Sequence, residues 1–175
     1  MDVGLYARVS QEQQAQGERV SIEQQEADMQ VLCERMGWNP VAIFVDKENY
    51  RATKSPRKGK MFNPSGERAD RPEFLKMLKL VRSGGIDAVL CWRDDRLVRH
   101  PRVAVALEDA LDIGDARRNG QGKIKVIDAA GATIDRFTLS IKASIWREEN
   151  KRRVERINMG KKATLQHGRW PGYYN

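Results

Sequence analysis

MDVGLYARVS, residues Met1–Ser10, is the stretch on which the reading of this chain turns. Val3 to Val9 is an apolar run closed by a serine, the pattern of a buried strand. Strand side chains alternate between faces, so Arg8 and Ser10 point to the same side. A guanidinium beside a hydroxyl at the carboxyl end of a strand suits chemistry on a phosphate. Arginine grips phosphate oxygens with a two-pronged fork, and an activated serine is a covalent nucleophile. Taken alone, the same ten residues equally describe an edge strand with a surface arginine and a loop serine.

The sequence downstream repeats the strand pattern in alternation with helices. Residues 10–20 are polar and read as a loop. Ser21 then opens a helix as N-cap, with Gln24 three residues on as in a capping box. Its apolar stripe is Ile22, Met29, Leu32 and Met36, and Gly37 ends it. Val41–Val45 is a second apolar strand, closed by Asp46. A helix begins at Pro72, a good first helical residue, with Phe74, Leu75, Leu78 and Val81 as its buried face. Ile86–Trp92 is the third strand, and Pro101 opens a helix to about Ala116. Lys123–Ile127 is the fourth strand. Alternation of this kind predicts an α/β fold: a mostly parallel four- to five-stranded sheet flanked by helices. Ligands of such sheets bind beyond the carboxyl ends of the strands. Arg8 and Ser10 lie at one such end, and Asp95, Arg96 and Arg99 at another.

Charge says what kind of partner to expect. Of 175 residues, 40% are hydrophobic and 32% charged, and the net charge is +8. Residues 1–50 carry four basic and nine acidic residues. Residues 51–71 carry seven basic and two acidic, and residues 136–175 ten basic and three acidic. Positive charge concentrated in one internal loop and one terminal segment is the footprint of a polyanion binder. No window approaches about eighteen consecutive apolar residues, so no membrane span is expected. No secretory signal precedes Ser10, and a cytoplasmic protein is expected. Cys33 and Cys91 lie far apart without metal spacing and read as reduced thiols. With only His100 and His167 besides, a zinc site is not expected.

Two segments depart from the alternation. Residues 47–71 form a long basic loop, a length that usually marks function. Residues 136–168 read as a long helix, the first half apolar through Phe137, Ile141, Ile145 and Trp146, the second mostly polar and basic. A helix whose far half lacks a core face is expected to leave the domain and pack on a partner or on nucleic acid. The apolar stripe suggests a dimer or tetramer. The organisation expected is therefore an α/β domain over 1–135 and an interface and nucleic-acid-binding helix over 136–168. Residues 169–175, aromatic and turn-rich, then read as the start of a linker to a further segment.

The chemistry converges on arginine. Arg8, Arg71, Arg96 and Arg99 all fall at strand ends or helix starts, where guanidinium groups can neutralise a phosphoryl transition state. The GxxxxGK[ST] phosphate loop is absent. Asp94 and Asp95 could be offered as metal ligands, but Asp95 reads better as the orienter of a neighbouring arginine. Metal-free chemistry by a serine inside an arginine cage is the more coherent picture, with no metal and no cofactor.

YARVS at Tyr6–Ser10, Gln14, SIEQQ at Ser21–Gln25, a strand ending in Asp46, Arg71-Pro72, DRLVR at Asp95–Arg99 and REENKRRVER at Arg147–Arg156 occur in this order. This combination resembles the catalytic domain of the serine recombinases, the resolvase/invertase family. The long loop and terminal segment resemble the large serine integrases of phages and mobile elements. The resemblance spans nearly the whole chain. It implies a resolvase-like catalytic domain over 1–135, site-specific recombination of double-stranded DNA, and carboxyl-terminal DNA-binding domains reached by a linker that starts at 169–175. In such a reaction Ser10 attacks a phosphodiester and forms a 5′-phosphoserine link, and four subunits cut, rotate and religate without cofactor. On this resemblance Arg8, Arg71, Arg96 and Arg99 bind the phosphate. Asp95 orients an arginine or assists proton transfer, and Gln14 and Gln24 surround the nucleophile. Glu149 matches a long-helix glutamate of subunit contacts. Arg136, Lys151, Arg152, Arg153, Arg156, Lys161 and Lys162 are the expected DNA contacts, and Phe137, Ile141, Ile145, Trp146 and Glu149 the expected subunit interface. The chain departs from the family pattern at Gln11, where threonine is usual, and at Asn150, where many members have arginine. It also departs at Asp135-Arg136 for Gly-Arg and at Arg51-Ala52 for a small pair. The competing readings are a catalytically silent DNA-binding or assembly module of the same fold and a nucleotide-binding α/β enzyme.

Overall fold

The structure, a computed structural model, describes residues 1–9, 20–47, 49–51, 61, 62, 64 and 66–166. In chain order its elements are β1 (Asp2–Arg8), α1 (Ile22–Met36), β2 (Asn39–Asp46), β3 (Tyr50–Arg51), β4 (Met61–Phe62) and α2 (Pro72–Ser83). β5 (Ala88–Cys91), α3 (Asp94–Leu97), α4 (Pro101–Arg117), β6 (Lys125–Asp128) and α5 (Arg136–Gln166) follow. As expected, the four apolar runs form one parallel sheet; its strand order is β2-β1-β5-β6. Leu5 pairs with Ile43 on one side and Leu90 on the other, and Leu90 pairs in turn with Ile127. β3 and β4 make a separate antiparallel pair inside the segment read as loop.

Alternation along β1 divides the core. Val3, Leu5 and Ala7 face α1, with Met29, Leu32 and Cys33 packed on Leu90 and Ile127. Tyr6 faces the other way, toward Phe44, Phe74, Met77, Leu78 and Leu107 from the α2 and α4 side. Both cysteines are buried and free, Cys33 in α1 and Cys91 in β5. β1 from Val3 onward and all of β5 are buried at the centre of the sheet, which is why they read as continuous apolar runs. No helix among the described residues is long and apolar enough to cross a membrane.

The helix starts follow local chemistry. Ser21 Oγ accepts the Gln24 amide hydrogen at 3.1 Å, one half of the capping box. The reciprocal half is replaced, because the Gln24 side chain donates to Asp28 Oδ1 at 2.7 Å. His100 caps α4, its Nδ1 accepting from the Arg102 amide at 3.1 Å, with Pro101 next in line. Asp135 caps α5 through the amides of Phe137 and Thr138.

α2 and α4 touch at Gly114. A Cβ built there would lie 2.2 Å from the carbonyl oxygen of Val81 and 2.7 Å from Ile124 Cδ1. The backbone oxygen cannot retreat without breaking the α2 ladder. Gly114→Ala is therefore expected to destabilise the domain by roughly 1–3 kcal/mol, read as a lower denaturation midpoint. An unchanged midpoint would contradict this helix contact.

Candidate active site

Sheet order locates the site. The chain runs outward from β1 to β2 and then returns to the other side of β1 with β5. The switch point therefore lies between β1 and β5, where an open α/β sheet leaves a crevice at its carboxyl edge. Arg8 ends β1 there, and α3 with Arg96 follows β5 on the same edge.

α3 is one turn long, and its carbonyls hold two arginines that arrive from elsewhere. Arg8 donates from Nε to the carbonyl of Arg96 at 3.1 Å, and from Nη1 to the carbonyls of Val9 at 2.9 Å and Pro64 at 3.4 Å. Arg71 donates from Nη2 to the carbonyl of Leu97 at 3.2 Å and from Nε to that of Arg68 at 2.7 Å. Arg8, Arg71 and Arg96 are 2%, 0% and 1% exposed. Burying a guanidinium is costly unless its donors are spent, and the carbonyls meet that demand for Arg8 and Arg71. Three of the four sequence-predicted arginines thus come together, while Arg99 is exposed at the rim. The chain at Gly66 runs against both groups: a Cβ there would lie 2.7 Å from Arg8 Nη2 and 3.0 Å from Arg99 Cβ. Any side chain at Gly66 would have to displace the Arg8 guanidinium.

Arg71 is held by a relay that begins in β2. Asp46, 3% exposed, accepts the amide hydrogens of Glu73 and Phe74 at 3.0 Å each. These are orphan donors of the first turn of α2, whose N-cap Arg71 makes no side-chain cap. Asp46 also accepts the Tyr6 hydroxyl at 2.7 Å, and that hydroxyl in turn accepts from Arg71 Nη1. The Arg71 guanidinium stacks 4.4 Å from the Phe74 ring centroid. Burial raises the Tyr6 phenol well above its ordinary value, with Arg71 opposing and Asp46 reinforcing, so Tyr6 stays neutral and donates to Asp46. A cation at a helix N-terminus opposes the macrodipole, and the Asp46 carboxylate supplies the compensating charge.

Beyond Cys91, β1 has no β5 neighbour, and Gln25 takes over. It is 1% exposed; its Nε2 donates to the Arg8 carbonyl at 3.2 Å and its Oε1 accepts the Arg8 amide at 3.4 Å. Gln24, the expected neighbour of the nucleophile, is exposed and turned to Asp28. Gln25, Tyr6 and Asp46 carried no assigned role in the sequence reading. Gln25 could have been found there, because it falls on the stripe of Ile22, Met29 and Leu32.

Ser10 and Gln14 lie outside the described residues, as do the side chains of Asp95, Trp146, Glu149, Arg153, Lys161 and Lys162. Lys151, Arg152 and Arg156 are exposed on α5, Arg152 donating to Glu148 at 3.1 Å. Arg136 instead pairs with Asp115 at 2.6 Å, joining the start of α5 to α4. Phe137, Ile141 and Ile145 are 70%, 44% and 53% exposed. Among the described residues no three His, Cys, Asp or Glu side chains gather to hold a metal ion. An open depression of about 570 Å³ lies beside the cluster, lined by Asp28, Trp92, Arg93, Asp94 and Asp128 among others. Its carboxylates disfavour a phosphate there.

The profile of the resolvase N-terminal domain matches residues 62–170. The structure is similar to that of the N-terminal catalytic domain of TP901-1 integrase, with a TM-score of 0.57 and 21% identity over 86% of this chain and 98% of the other. It is also similar to a resolvase family site-specific recombinase from Streptococcus pneumoniae, with a TM-score of 0.56 and 22% identity over 95% of this chain and 98% of the other. No curated protein sequence matches the chain. A profile match over more than half the chain, on a sheet whose carboxyl edge gathers Arg8, Arg71 and Arg96, places this chain in the resolvase N-terminal domain family, the catalytic domain of the serine recombinases.

Proposed function

We propose that this domain cleaves and rejoins DNA through a 5′-phosphoserine on Ser10. The observation that carries the reading is the convergence at α3 of Arg71, Arg96 and Arg8, the last only two residues along the chain from that serine. The Ser10 oxygen attacks the scissile phosphorus, the bond to the 3′-oxygen breaks, and the 3′-oxygen takes up a proton as Ser10 loses one. Religation is the reverse, so the energy of the phosphodiester stays in the serine ester. The guanidinium groups balance charge on the non-bridging oxygens and favour the ionised serine. Pro64 is the most distant acceptor on Arg8 at 3.4 Å, and a phosphate oxygen takes its place. Arg99 joins from the rim, and Asp95 orients a neighbouring arginine or assists proton transfer.

In this reading Phe137, Ile141, Ile145, Trp146 and Glu149 meet other subunits in a homodimer or homotetramer, and the basic half of α5 follows the DNA backbone. Likeness of fold to an integrase catalytic domain favours integration or excision of a mobile element as the setting. The test uses duplex DNA selected by the protein from a randomised pool, in the presence of a chelator. The wild type is expected to yield a protein–DNA complex that survives denaturant, and Ser10→Ala none. Persistence of that complex in Ser10→Ala would sink the assignment.

A further inference from the structure

Arg96, 1% exposed, is a phosphate ligand of the proposed mechanism that lies near an indole ring. Its guanidinium carbon lies 5.4 Å from the centroid of the Trp92 ring. Trp92 is the first residue past β5, half-buried, and its ring is itself held. Its Nε1 donates to Asp28 Oδ2 at 2.8 Å, a bond that spans 64 residues to α1. The other oxygen of Asp28, Oδ1, accepts from the Gln24 side-chain Nε2 at 2.7 Å, one turn earlier on the same helix. Both carboxylate oxygens are thus used, and the indole plane is pinned against a rigid element.

We propose that Trp92, oriented by Asp28, is a positioning residue that fixes the Arg96 guanidinium at the phosphate site. A planar fork recognises a phosphate in two-pronged fashion only when its plane is fixed. Tryptophan offers the strongest ring quadrupole for that purpose, and the attraction is greatest where the cation is desolvated. Arg96 meets that condition at 1% exposure. Arg93 shares the same ring at 4.6 Å, but it is exposed and water screens it. The backbone of Arg96 simultaneously receives Arg8 Nε at 3.1 Å, so a drift of α3 reaches two phosphate ligands. The pair also gives Gln24 and Asp28 a role: they brace Trp92 from α1.

This inference rests on the proposed reading of the site, and its test separates the two. The first readout needs no DNA: the Nε–Hε resonance of Arg96 in the free protein, assigned by its loss in Arg96→Lys. Ring current is expected to displace it in the wild type and in Trp92→Phe, and to release it in Trp92→Leu. The second readout is single-turnover formation of the covalent complex with saturating DNA. Trp92→Leu is expected to slow it roughly 10- to 100-fold, the scale for a misplaced reacting group, with DNA affinity little changed and Trp92→Phe largely restored. Asp28→Ala keeps the ring and is expected to show a smaller loss of the same kind. It carries the test should Trp92→Leu not fold, and Asp28→Asn, which keeps an acceptor, is expected to recover. An Arg96 resonance unmoved in Trp92→Leu and Asp28→Ala, or unchanged rates in both, would overturn the proposal. A wild type that makes no covalent complex counts against the functional reading instead, and the resonance alone then decides the positioning role.

Discussion

Arg71→Ala is expected to lower covalent DNA cleavage by about a thousandfold or more, the scale of a lost transition-state arginine, and to destabilise the fold as well. Two effects coincide because Arg71 is 0% exposed and belongs to a relay. Its loss strips a donor from the Tyr6 hydroxyl, which in turn donates to Asp46, and from the carbonyls of Leu97 and Arg68. Removing one partner from a buried charged network typically costs about 3–5 kcal/mol. Arg71→Lys separates the effects. An ammonium restores charge but not the planar fork, so stability is expected to recover in part while cleavage stays depressed. Denaturant midpoints and single-turnover rates give the two readings side by side. Wild-type cleavage by the alanine variant would remove Arg71 from the phosphate site.

Asp46→Ala is expected to be the most destabilising substitution of a carboxylate in this domain. The carboxylate serves three donors at once: the amides of Glu73 and Phe74 and the Tyr6 hydroxyl. Without it two helix-start amides and a buried phenol lose their acceptor. An unmet buried donor costs about 1–3 kcal/mol, so a loss near 4 kcal/mol, or roughly 10 °C in melting temperature, is expected. Cleavage should fall too, because Tyr6 no longer holds Arg71. Asp46→Asn keeps one acceptor oxygen and is expected to fall between alanine and wild type. A melting temperature unchanged in Asp46→Ala would contradict the relay.

The sheet was legible because its strands are short apolar runs bounded by turns. Leu5, Ile43, Leu90 and Ile127 lie in one row across all four, and each was inside a predicted strand. The helices were legible where a cap is local, as at Ser21 and His100. The cap of α2 was not, because its acceptor is Asp46, which lies 27 residues before Glu73 and only the fold brings near. The arginines were recognisable as a set from strand ends and the family pattern, yet their partners are backbone carbonyls, which no residue type announces. Gln24 and Gln25 show the limit most clearly. The capping pattern drew attention to Gln24, while the helix turns about 100° per residue and points Gln25, not Gln24, at the end of β1. Trp92 read as the last residue of a strand, and its bond to Asp28 depends on how α1 lies on the sheet.

The central claim is that Ser10 carries the cleaved DNA end. The most direct measurement is mass spectrometry of the denaturant-resistant complex after digestion of protein and DNA, with chelator present throughout. The account predicts a nucleotide phosphate on the peptide containing Ser10, joined through its 5′ side, and a free 3′-hydroxyl on the other DNA end. Cleavage that leaves both ends free of protein, or a phosphate mapped to another residue, would contradict it.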